Sequence, residues 1–362
     1  MLSQNEANIG LYIHIPFCES KCPYCDFYSV RCDENLMERY TKSVIKSLDD
    51  YKSINKKADT LYLGGGTPSV LGDERLAEII EKAKEFYLTD NAEITIECNP
   101  RRKLSETFKV LSAVGVNRIS LGMQSAVDKE RFSLGRKASA NDAADAIELA
   151  RNNNIDNISL DLMLGTPKMT IESLNKSLDF IEKMNVPHIS AYMLKIEENT
   201  KFAEIEETLN LPSEDDVCDM YLHACERLEK FGIRQYEISN FAKSGYESKH
   251  NLKYWNCEEY LGIGPAAHSF LNGKRFFYPR DIKAFIDGNK PIFDDNGGDD
   301  KEQLMLGLRL TKGVSTSMFS KKAMAKAEVF AKNGFIKINN DTVSLTPKGF
   351  LVSNTIIYEL SE

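Results

Sequence analysis

Short runs of β-branched and aromatic residues alternate with amphipathic stretches through the first two thirds of the chain. The predicted strands cover residues 11–17, 60–64, 93–98, 118–122, 158–164 and 188–194. Apolar residues at helical spacing lie between them, over 74–87, 105–114, 141–153, 171–184 and 214–231. Intervals of about 25 to 50 residues between strands suit right-handed crossovers and a parallel sheet. The pattern predicts an α/β protein with a partial (β/α)6 barrel, although a doubly wound sheet has the same alternation.

The pattern changes after Phe231. Residues 233–242 and 262–270 are predicted as strands around an irregular segment that holds Trp255, and the Pro-, Gly- and Asp-rich stretch 291–300 predicts a linker. Helices near 302–310 and 320–333 then precede a strand pair, 335–339 and 342–345, joined by an Asn-Asn-Asp turn. This order predicts a small winged-helix-like α+β module. The predicted domains are residues 1–235, 236–298 and 299–362.

Composition and charge narrow the functional classes. The chain has 362 residues, 42% of them hydrophobic and 28% charged, which excludes a disordered or collagen-like protein. Its net charge of −8 argues against nucleic acid as the main partner. No apolar run approaches the roughly 18 residues of a membrane span, and residues 1–10 lack the apolar core of a signal peptide. We therefore expect a cytoplasmic protein.

Three of the eight cysteines are clustered. Cys18, Cys22 and Cys25 form a C-x₃-C-x₂-C loop directly after the first predicted strand. Three thiolates on one short loop can hold three corners of a [4Fe–4S] cluster, which leaves the fourth iron open to a chelating ligand. A zinc knuckle is the alternative, but zinc prefers four ligands in regular pairs, and Cys32 is the only nearby fourth thiol.

Further polar or glycine residues come at the ends of the next predicted strands. Since active sites of βα barrels lie at these ends, we expect the residues to meet there. A triple glycine at 64–66 allows close backbone approach. Glu97 is a candidate to hold ribose hydroxyls or is merely a solvated strand-end charge, and Asp161, within an apolar strand, needs a partner. The candidates are Gly65, Gly66, Thr67, Glu97, Gln124, Arg136 and Asp161.

The cysteine loop, with Tyr24 before its last cysteine, resembles the signature of the radical S-adenosylmethionine (radical SAM) superfamily. The stretches YIHIPFC, GGGTP, GMQS and DLMLGTP resemble its oxygen-independent coproporphyrinogen III dehydrogenase branch over most of residues 11–194. The resemblance implies a TIM-like barrel and reductive cleavage of S-adenosylmethionine to methionine and a 5′-deoxyadenosyl radical. It also implies that Tyr12, Gly65 and Glu97 contact the S-adenosylmethionine on iron. A second molecule, which relatives need not bind, would contact Tyr24, Gly66, Thr67, Gln124, Arg136 and Asp161.

Two differences separate the sequence from the dehydrogenases of that branch. They have a further cysteine two positions after the last ligand, where this chain has Phe27, and a long segment before the position of Tyr12. In both respects the chain resembles the heme chaperones of the branch. Residues 250–255, HNLKYW, are similar to the H-N-x-x-Y-W motif of that subfamily. The resemblance implies that His250, Tyr254 and Trp255 contact heme, and His268 is a secondary candidate.

The expected function is that of a heme chaperone. It would bind heme, one [4Fe–4S] cluster and S-adenosylmethionine, and would transfer heme to acceptor proteins, with peripheral contact to membrane heme proteins. Two alternatives stay open at this point. One is oxidative decarboxylation of coproporphyrinogen III by a deoxyadenosyl radical, and the other is a zinc-stabilised interaction module without redox chemistry.

Overall fold

Parallel strands that follow chain order form the centre of the molecule. The computed structural model describes residues 8–100 and 104–361, so residues 1–7 of the polar start lie outside it. The strands are β1 (Ile9–Ile15), β2 (Ala58–Gly65), β3 (Leu88–Cys98), β4 (Arg118–Gln124), β5 (Asn157–Leu164) and β6 (His188–Met193). They are neighbours in this order, whereas a doubly wound sheet reverses direction partway. The prediction of a partial (β/α)6 arrangement is confirmed, and no pairing closes the described strands into a full barrel.

Amphipathic helices connect these strands. They are α1 (Glu34–Asp50), α2 (Asp73–Phe86), α3 (Ser105–Ala113), α4 (Asp128–Ser133), α5 (Ala140–Asn152), α6 (Ile171–Met184), α7 (Lys201–Glu204) and α8 (Glu214–Lys230). Three of them begin at capping boxes, in which Ser139, Thr170 and Ser213 accept a backbone N–H of the first turn. The predicted helices therefore begin and end within one residue of the observed ones.

The central strands have one apolar face and one polar face. Leu11, Ile13 and Ile15 are fully buried in the core that the helices also contribute to, while the alternate residues of β1 belong to the opposite face. Cross-strand partners share a face, and two rows of partners are polar. One row is Tyr12, Tyr62, Thr95 and Arg118, and the other is Glu97, Ser120, Ser159 and His188. A polar concave face thus leads to the carboxyl ends of the strands.

Beyond α8 the chain extends both edges of the sheet. The hairpin β7 (Arg234–Gln235) and β8 (Asn240–Ala242) pairs with β6. The helix α9 (Lys249–Trp255) precedes β9 (Tyr260–Ile263), which pairs in parallel with β1. The strands β10 (His268–Leu271), β11 (Lys274–Phe277) and β12 (Ile292–Asn296) continue antiparallel from β9, with α10 (Ile282–Ile286) between the last two.

Four predictions for this part of the chain were wrong. The segment 233–242 is a hairpin rather than one strand, and 262–270 is divided by a turn in which Gly264 has φ +110° and lies against the His14 carbonyl. The segment around Trp255 is helical, because Ser248 caps α9. The stretch 291–300 is not a linker, since its residues 292–296 form β12 and pair with β11.

The C-terminal module has the predicted order of helix, helix and hairpin. It comprises α11 (Asp300–Gly307), β13 (Val314–Ser315), α12 (Lys321–Lys332), β14 (Ile336–Asn339) and β15 (Thr342–Leu345), followed by α13 (Pro347–Leu351) and α14 (Ser353–Leu360). The three strands form a separate sheet in the order β13-β15-β14. In the described part of the chain, no helix combines the length and apolar character needed to cross a membrane. The three domain boundaries stay a prediction.

Candidate functional site

The cysteine loop lies at the carboxyl end of β1. Its base is closed by a short parallel pairing of Phe17–Cys18 with Val30–Arg31, and the Cys25 N–H donates to the Cys22 carbonyl at 3.1 Å. All three thiols are partly exposed and line one pocket together with the glycine loop and Arg136. The described side chains contain no group of three His, Cys, Asp or Glu arranged to hold one metal ion. A cubane differs from a single ion in that it binds each cysteine at a separate corner.

The glycine loop after β2 is fastened to the base of the cysteine loop. The Gly66 N–H donates to the Ile15 carbonyl at 2.9 Å, and the Thr67 N–H donates to the Phe17 carbonyl at 2.8 Å. A Cβ on Gly66 would lie only 2.6 Å from the Phe17 oxygen, so this approach requires glycine. The Thr67 hydroxyl is 3.7 Å from the Cys18 sulfur. The two loops predicted to act together are therefore in contact.

The neutral side chain of His14 packs against Gly65. The His14 Nε2–H donates to the Tyr28 carbonyl at 3.0 Å, which leaves Nδ1 to accept from the Tyr12 hydroxyl at 3.0 Å. Burial lowers the pKa of His14 to about 4, so the ring stays uncharged. Gly65 has φ +113°, and a Cβ there would lie 2.6 Å from this ring. Tyr12 and Gly65 thus come together through His14.

Glu97 is held at the end of β3 by two donors. The Tyr62 hydroxyl donates to Oε1 at 2.9 Å and the Gly65 N–H donates to Oε2 at 3.1 Å. Burial, and secondarily the nearby Asp161 charge, raises the pKa of Glu97 to about 7. The sequence reasoning missed Tyr62, although strand alternation places it on the same face as Gly64. A carboxylate held in this way can accept hydrogen bonds from ligand hydroxyls.

Asp161 occupies the polar face of β5, next to the neighbouring strand β4. The Ser120 hydroxyl donates to its Oδ1 at 3.2 Å. Burial raises the pKa of Asp161 to about 6, while Ser120, Arg136 and Arg118 oppose the shift. The charge predicted to need a partner therefore has a hydroxyl bond and two guanidinium groups in electrostatic range.

Arg136 joins the loop after β4 to the cysteine loop. Its Nη2 donates to the Tyr24 hydroxyl at 2.9 Å and its Nε at 3.2 Å. The preceding Gly135 has φ +70°, and a Cβ there would meet Pro23 at 2.8 Å. Arg136 itself lines the pocket of the three thiols, while the Tyr24 ring packs against a buried cluster of Leu134, Met163 and Phe202.

Gln124 ends β4 in a conformation that is unfavourable for its residue type. It has φ +67°, is only 5% exposed, and its amide oxygen has no hydrogen-bond partner among the described residues. A Cβ added to Gly122 would lie 3.3 Å from the amide nitrogen of Gln124 and 3.4 Å from Arg136 Nη1, so the side chains of Gln124 and Arg136 both lie against Gly122. A buried acceptor without a partner fits a site that is completed by a polar ligand.

The H-N-x-x-Y-W motif forms α9, away from the cysteine loop. His250 is 1% exposed, its Nδ1 is 2.8 Å from the Thr60 hydroxyl and its Nε2 is 2.8 Å from the Tyr254 hydroxyl. Burial lowers the pKa of His250 to about 3. The Glu93 carboxylate accepts the N–H groups of Lys249 and His250, both at 3.2 Å. Both ring nitrogens are engaged, so iron ligation by His250 requires one of these bonds to break.

The motif also lies at the opposite end of the strands from the thiols. Thr60, which bonds His250, is five residues before Gly65 in β2, or roughly 16 Å along the strand. Trp255 is partly exposed, and the Arg309 guanidinium of the C-terminal module lies 5.8 Å from its ring centre. The Tyr254 ring packs edge-on against Tyr260 at 4.6 Å. The predicted heme contacts of this motif stay a prediction.

Comparisons with known proteins agree with this arrangement. The radical SAM superfamily model matches residues 12–181, and the HemN C-terminal domain model matches residues 301–352. The heme chaperone HemW of Bacillus subtilis (strain 168) is 34% identical over 95% of the chain and 97% of that protein. The heme chaperone HemW of Haemophilus influenzae is 34% identical over 96% and 97%. A coproporphyrinogen III oxidase (HemN) from Escherichia coli has a similar structure, with a TM-score of 0.85 and 19% identity over 98% of this chain and 90% of the other.

Proposed function

Since this chain belongs to the heme chaperone family within the radical SAM superfamily, we propose that it binds heme and transfers it to acceptor proteins. It holds one [4Fe–4S] cluster and S-adenosylmethionine at the carboxyl ends of its parallel strands. The observation that carries the proposal is the pocket at these ends, where three thiols and the glycine loop meet. Gln124 adds a buried acceptor that needs a partner.

In this proposal Cys18, Cys22 and Cys25 bind three irons. A cluster bound there supplies electron-transfer chemistry at an iron without a protein ligand. The polar groups around it orient the S-adenosylmethionine. Glu97 accepts from hydroxyl groups, supported by Tyr62, and Gly65, whose N–H is bonded to Glu97, contributes backbone beside that carboxylate.

Three of the residues proposed for a second S-adenosylmethionine, Gly66, Thr67 and Arg136, line the same pocket. Arg136 holds Tyr24 in place, Asp161 supplies negative charge, and the Gln124 amide offers a donor and an unbonded acceptor. Gly66 and Thr67 contribute a backbone that is already fixed against the cysteine loop. These groups need little rearrangement to receive a polar ligand, which lowers the entropic cost of binding.

The proposed partners are heme and heme-accepting proteins in the cytoplasm, including the exposed parts of membrane heme proteins. The net charge of −8 supports protein acceptors over nucleic acid. Phe27 supports a carrier over a dehydrogenase, because it occupies the position of the further cysteine of that branch. His250, Tyr254 and Trp255 stay candidates for heme contact after a rearrangement of α9.

The deciding experiment uses anaerobically reconstituted full-length protein. Heme is titrated into it, and the loaded protein is mixed with a heme-free acceptor while the absorption spectra of both are followed. We expect stoichiometric heme binding and its loss to the acceptor. The same protein, reduced and supplied with S-adenosylmethionine, should leave coproporphyrinogen III unchanged by chromatography.

Three other outcomes would contradict the proposed function. Protein that binds no heme would refute the carrier function. Formation of a divinyl product from coproporphyrinogen III would establish the dehydrogenase instead. Zinc in place of iron and sulfide in freshly purified protein would favour the interaction module.

A further inference from the structure

Heme iron in a carrier needs an axial ligand with a free lone pair, and histidine is the commonest source. The chain has five histidines. Four of them already use a ring nitrogen in a hydrogen bond: His14 with Tyr12 and Tyr28, His188 with Ser159 and Tyr236, His223 with Asn175, and His250 with Thr60 and Tyr254. His268 is exposed and has no hydrogen bond on its ring in the described structure. Among the described histidines, His268 and His223 each keep a ring nitrogen outside these hydrogen bonds, and His268 is the more exposed of the two.

Apolar side chains stand beside His268 on the sheet. The residue begins β10, and its cross-strand partner on β11 is Phe277, whose ring stacks on the imidazole at 5.3 Å with an angle of 24° between the planes. The next partner across the sheet is Ile292 of β12, which is 50% exposed. These three side chains share one face because directly paired residues point the same way. An imidazole flanked by exposed apolar surface suits a flat macrocycle.

Positive charge lies at the same place. Arg280 follows β11 by three residues, keeps 61% of its side chain exposed, and forms an ion pair with Asp26 at 3.2 Å. Partial burial lowers the pKa of His268, the Asp294 carboxylate opposes this shift, and the Arg275 and Arg280 guanidinium groups add to it. A neutral imidazole is the form that ligates iron, and a nearby guanidinium is suited to a propionate carboxylate.

This face adjoins the cysteine loop. Asp26, the partner of Arg280, directly follows the last cysteine, and Phe27 beside it is 68% exposed. The Ile282 N–H donates to the Tyr28 hydroxyl at 2.9 Å, which fixes the start of α10 to the same loop. A ligand on the His268 face would therefore lie next to the loop that carries the cluster cysteines.

We propose that His268 is the axial ligand of a heme that lies against Phe277 and Ile292, with Arg280 facing a propionate. The inference rests on the proposed heme-carrier function and assigns its binding site. It places the heme on the extension β10–β12, as the alternative to a site on α9 at which His250 would have to give up one of its two hydrogen bonds.

The test is a heme titration of anaerobically reconstituted full-length protein, followed by difference absorption spectra against the same protein without heme. His268→Ala should weaken binding about tenfold or more, equivalent to about 1.4 kcal/mol, and should alter the Soret band and the electron paramagnetic resonance of the ferric iron. His223→Ala is the matched control, because it removes a partly buried histidine of α8 and should leave both unchanged. Added imidazole should restore the spectrum in His268→Gly.

The outcomes separate this inference from the proposed function. Wild-type protein that binds no heme would refute both. Wild-type binding that His268→Ala leaves unchanged in affinity and spectrum would refute the His268 site and keep the carrier function. Loss of binding in His268→Ala without spectral rescue of His268→Gly by imidazole would also refute ligation by His268. Circular dichroism melting of each variant excludes misfolding as the cause.

Discussion

Two buried sites at opposite ends of the parallel strands, one around His250 and one around Gln124, differ in how their polar groups are bonded. Near the motif helix α9, both nitrogens of His250 are bonded and both oxygens of Glu93 accept backbone N–H groups. At the carboxyl ends, Gln124 has an unbonded amide oxygen, and the pKa values of Glu97 and Asp161 are raised. Buried polar groups are normally satisfied, so the unbonded Gln124 amide oxygen, whose side chain lies near Arg136, is a candidate contact for a polar ligand. The first region has the character of a scaffold and the second that of a binding site.

The largest expected effect is the loss of the cluster at the binding end. Cys22→Ala removes one of three corner ligands and should abolish cluster binding, because no other described group supplies a third thiolate to the pocket. Iron and sulfide analysis of anaerobically reconstituted protein measures it. Cys32→Ala, which changes an exposed thiol outside the pocket, is the control and should retain full iron. Stoichiometric iron in Cys22→Ala, or its loss in Cys32→Ala, would contradict the assignment.

At the scaffold end, His250→Ala should mainly lower stability. It leaves the buried hydroxyls of Thr60 and Tyr254 without their partner and opens a cavity, at a cost of about 2 to 4 kcal/mol in the free energy of unfolding. Urea denaturation checks this against His223→Ala, whose partly buried ring has a single bond and should cost less than about 1 kcal/mol. Unchanged stability combined with lost heme binding would instead make His250 a ligand.

Glu97→Gln tests whether the pKa of Glu97 is raised in the folded protein. The folded pKa of about 7 lies above the usual 4.5, so Glu97 favours the folded state below pH 4.5 and loses this contribution as the pH rises through 7. The variant lacks this dependence. Between pH 5 and pH 8, the wild-type protein should therefore lose about 1 to 2 kcal/mol of unfolding free energy that the variant does not lose. Denaturation of cofactor-free protein at the two pH values measures this, and parallel curves would exclude the raised pKa.

The smallest expected effect belongs to Gln124→Gly. Glycine adopts φ +67° without strain and removes the unbonded amide, so the free energy of unfolding should rise by up to about 1 kcal/mol. The same change should weaken S-adenosylmethionine binding several-fold, measured by calorimetry under anaerobic conditions, since a hydrogen bond is worth about 1 kcal/mol. A variant that is less stable and binds normally would place Gln124 in the scaffold.

Most of the fold could be predicted because the signals are local. The alternation of buried strands and amphipathic helices between residues 9 and 230 follows from hydrophobic periodicity and capping side chains. The five predicted helices there differ from the observed ones by at most one residue at each end, whereas β3 begins five residues before its predicted start. The segment 291–300 failed because its composition is that of a loop, whereas its structure comes from backbone pairing with β11. That partner lies some 20 residues away, beyond any local pattern.

The candidate site likewise combines residues that the sequence identified with residues that only tertiary contacts reveal. Spacing singled out the cysteines, and the family resemblance singled out the glycine loop and Glu97; all three follow strands, whose ends the fold brings together. Tyr62, which bonds Glu97, and Glu93, which accepts from α9, were missed, since their roles depend on contacts across 35 and 157 residues. Whether His250 or His268 has a free ring nitrogen likewise depends on tertiary contacts that the sequence does not display.

The strand β12 leaves one border of the long sheet open. It is the outermost strand on its side of the sheet, all five of its residues are exposed, and Ile292 and Phe293 are apolar. Such an open border offers unpaired backbone groups on which another polypeptide can add a strand. Asp294 and Asp295 come next, and their negative charges repel a second copy that approaches in the same register. Two acidic residues on this border therefore disfavour edge-to-edge pairing of two copies in the same register.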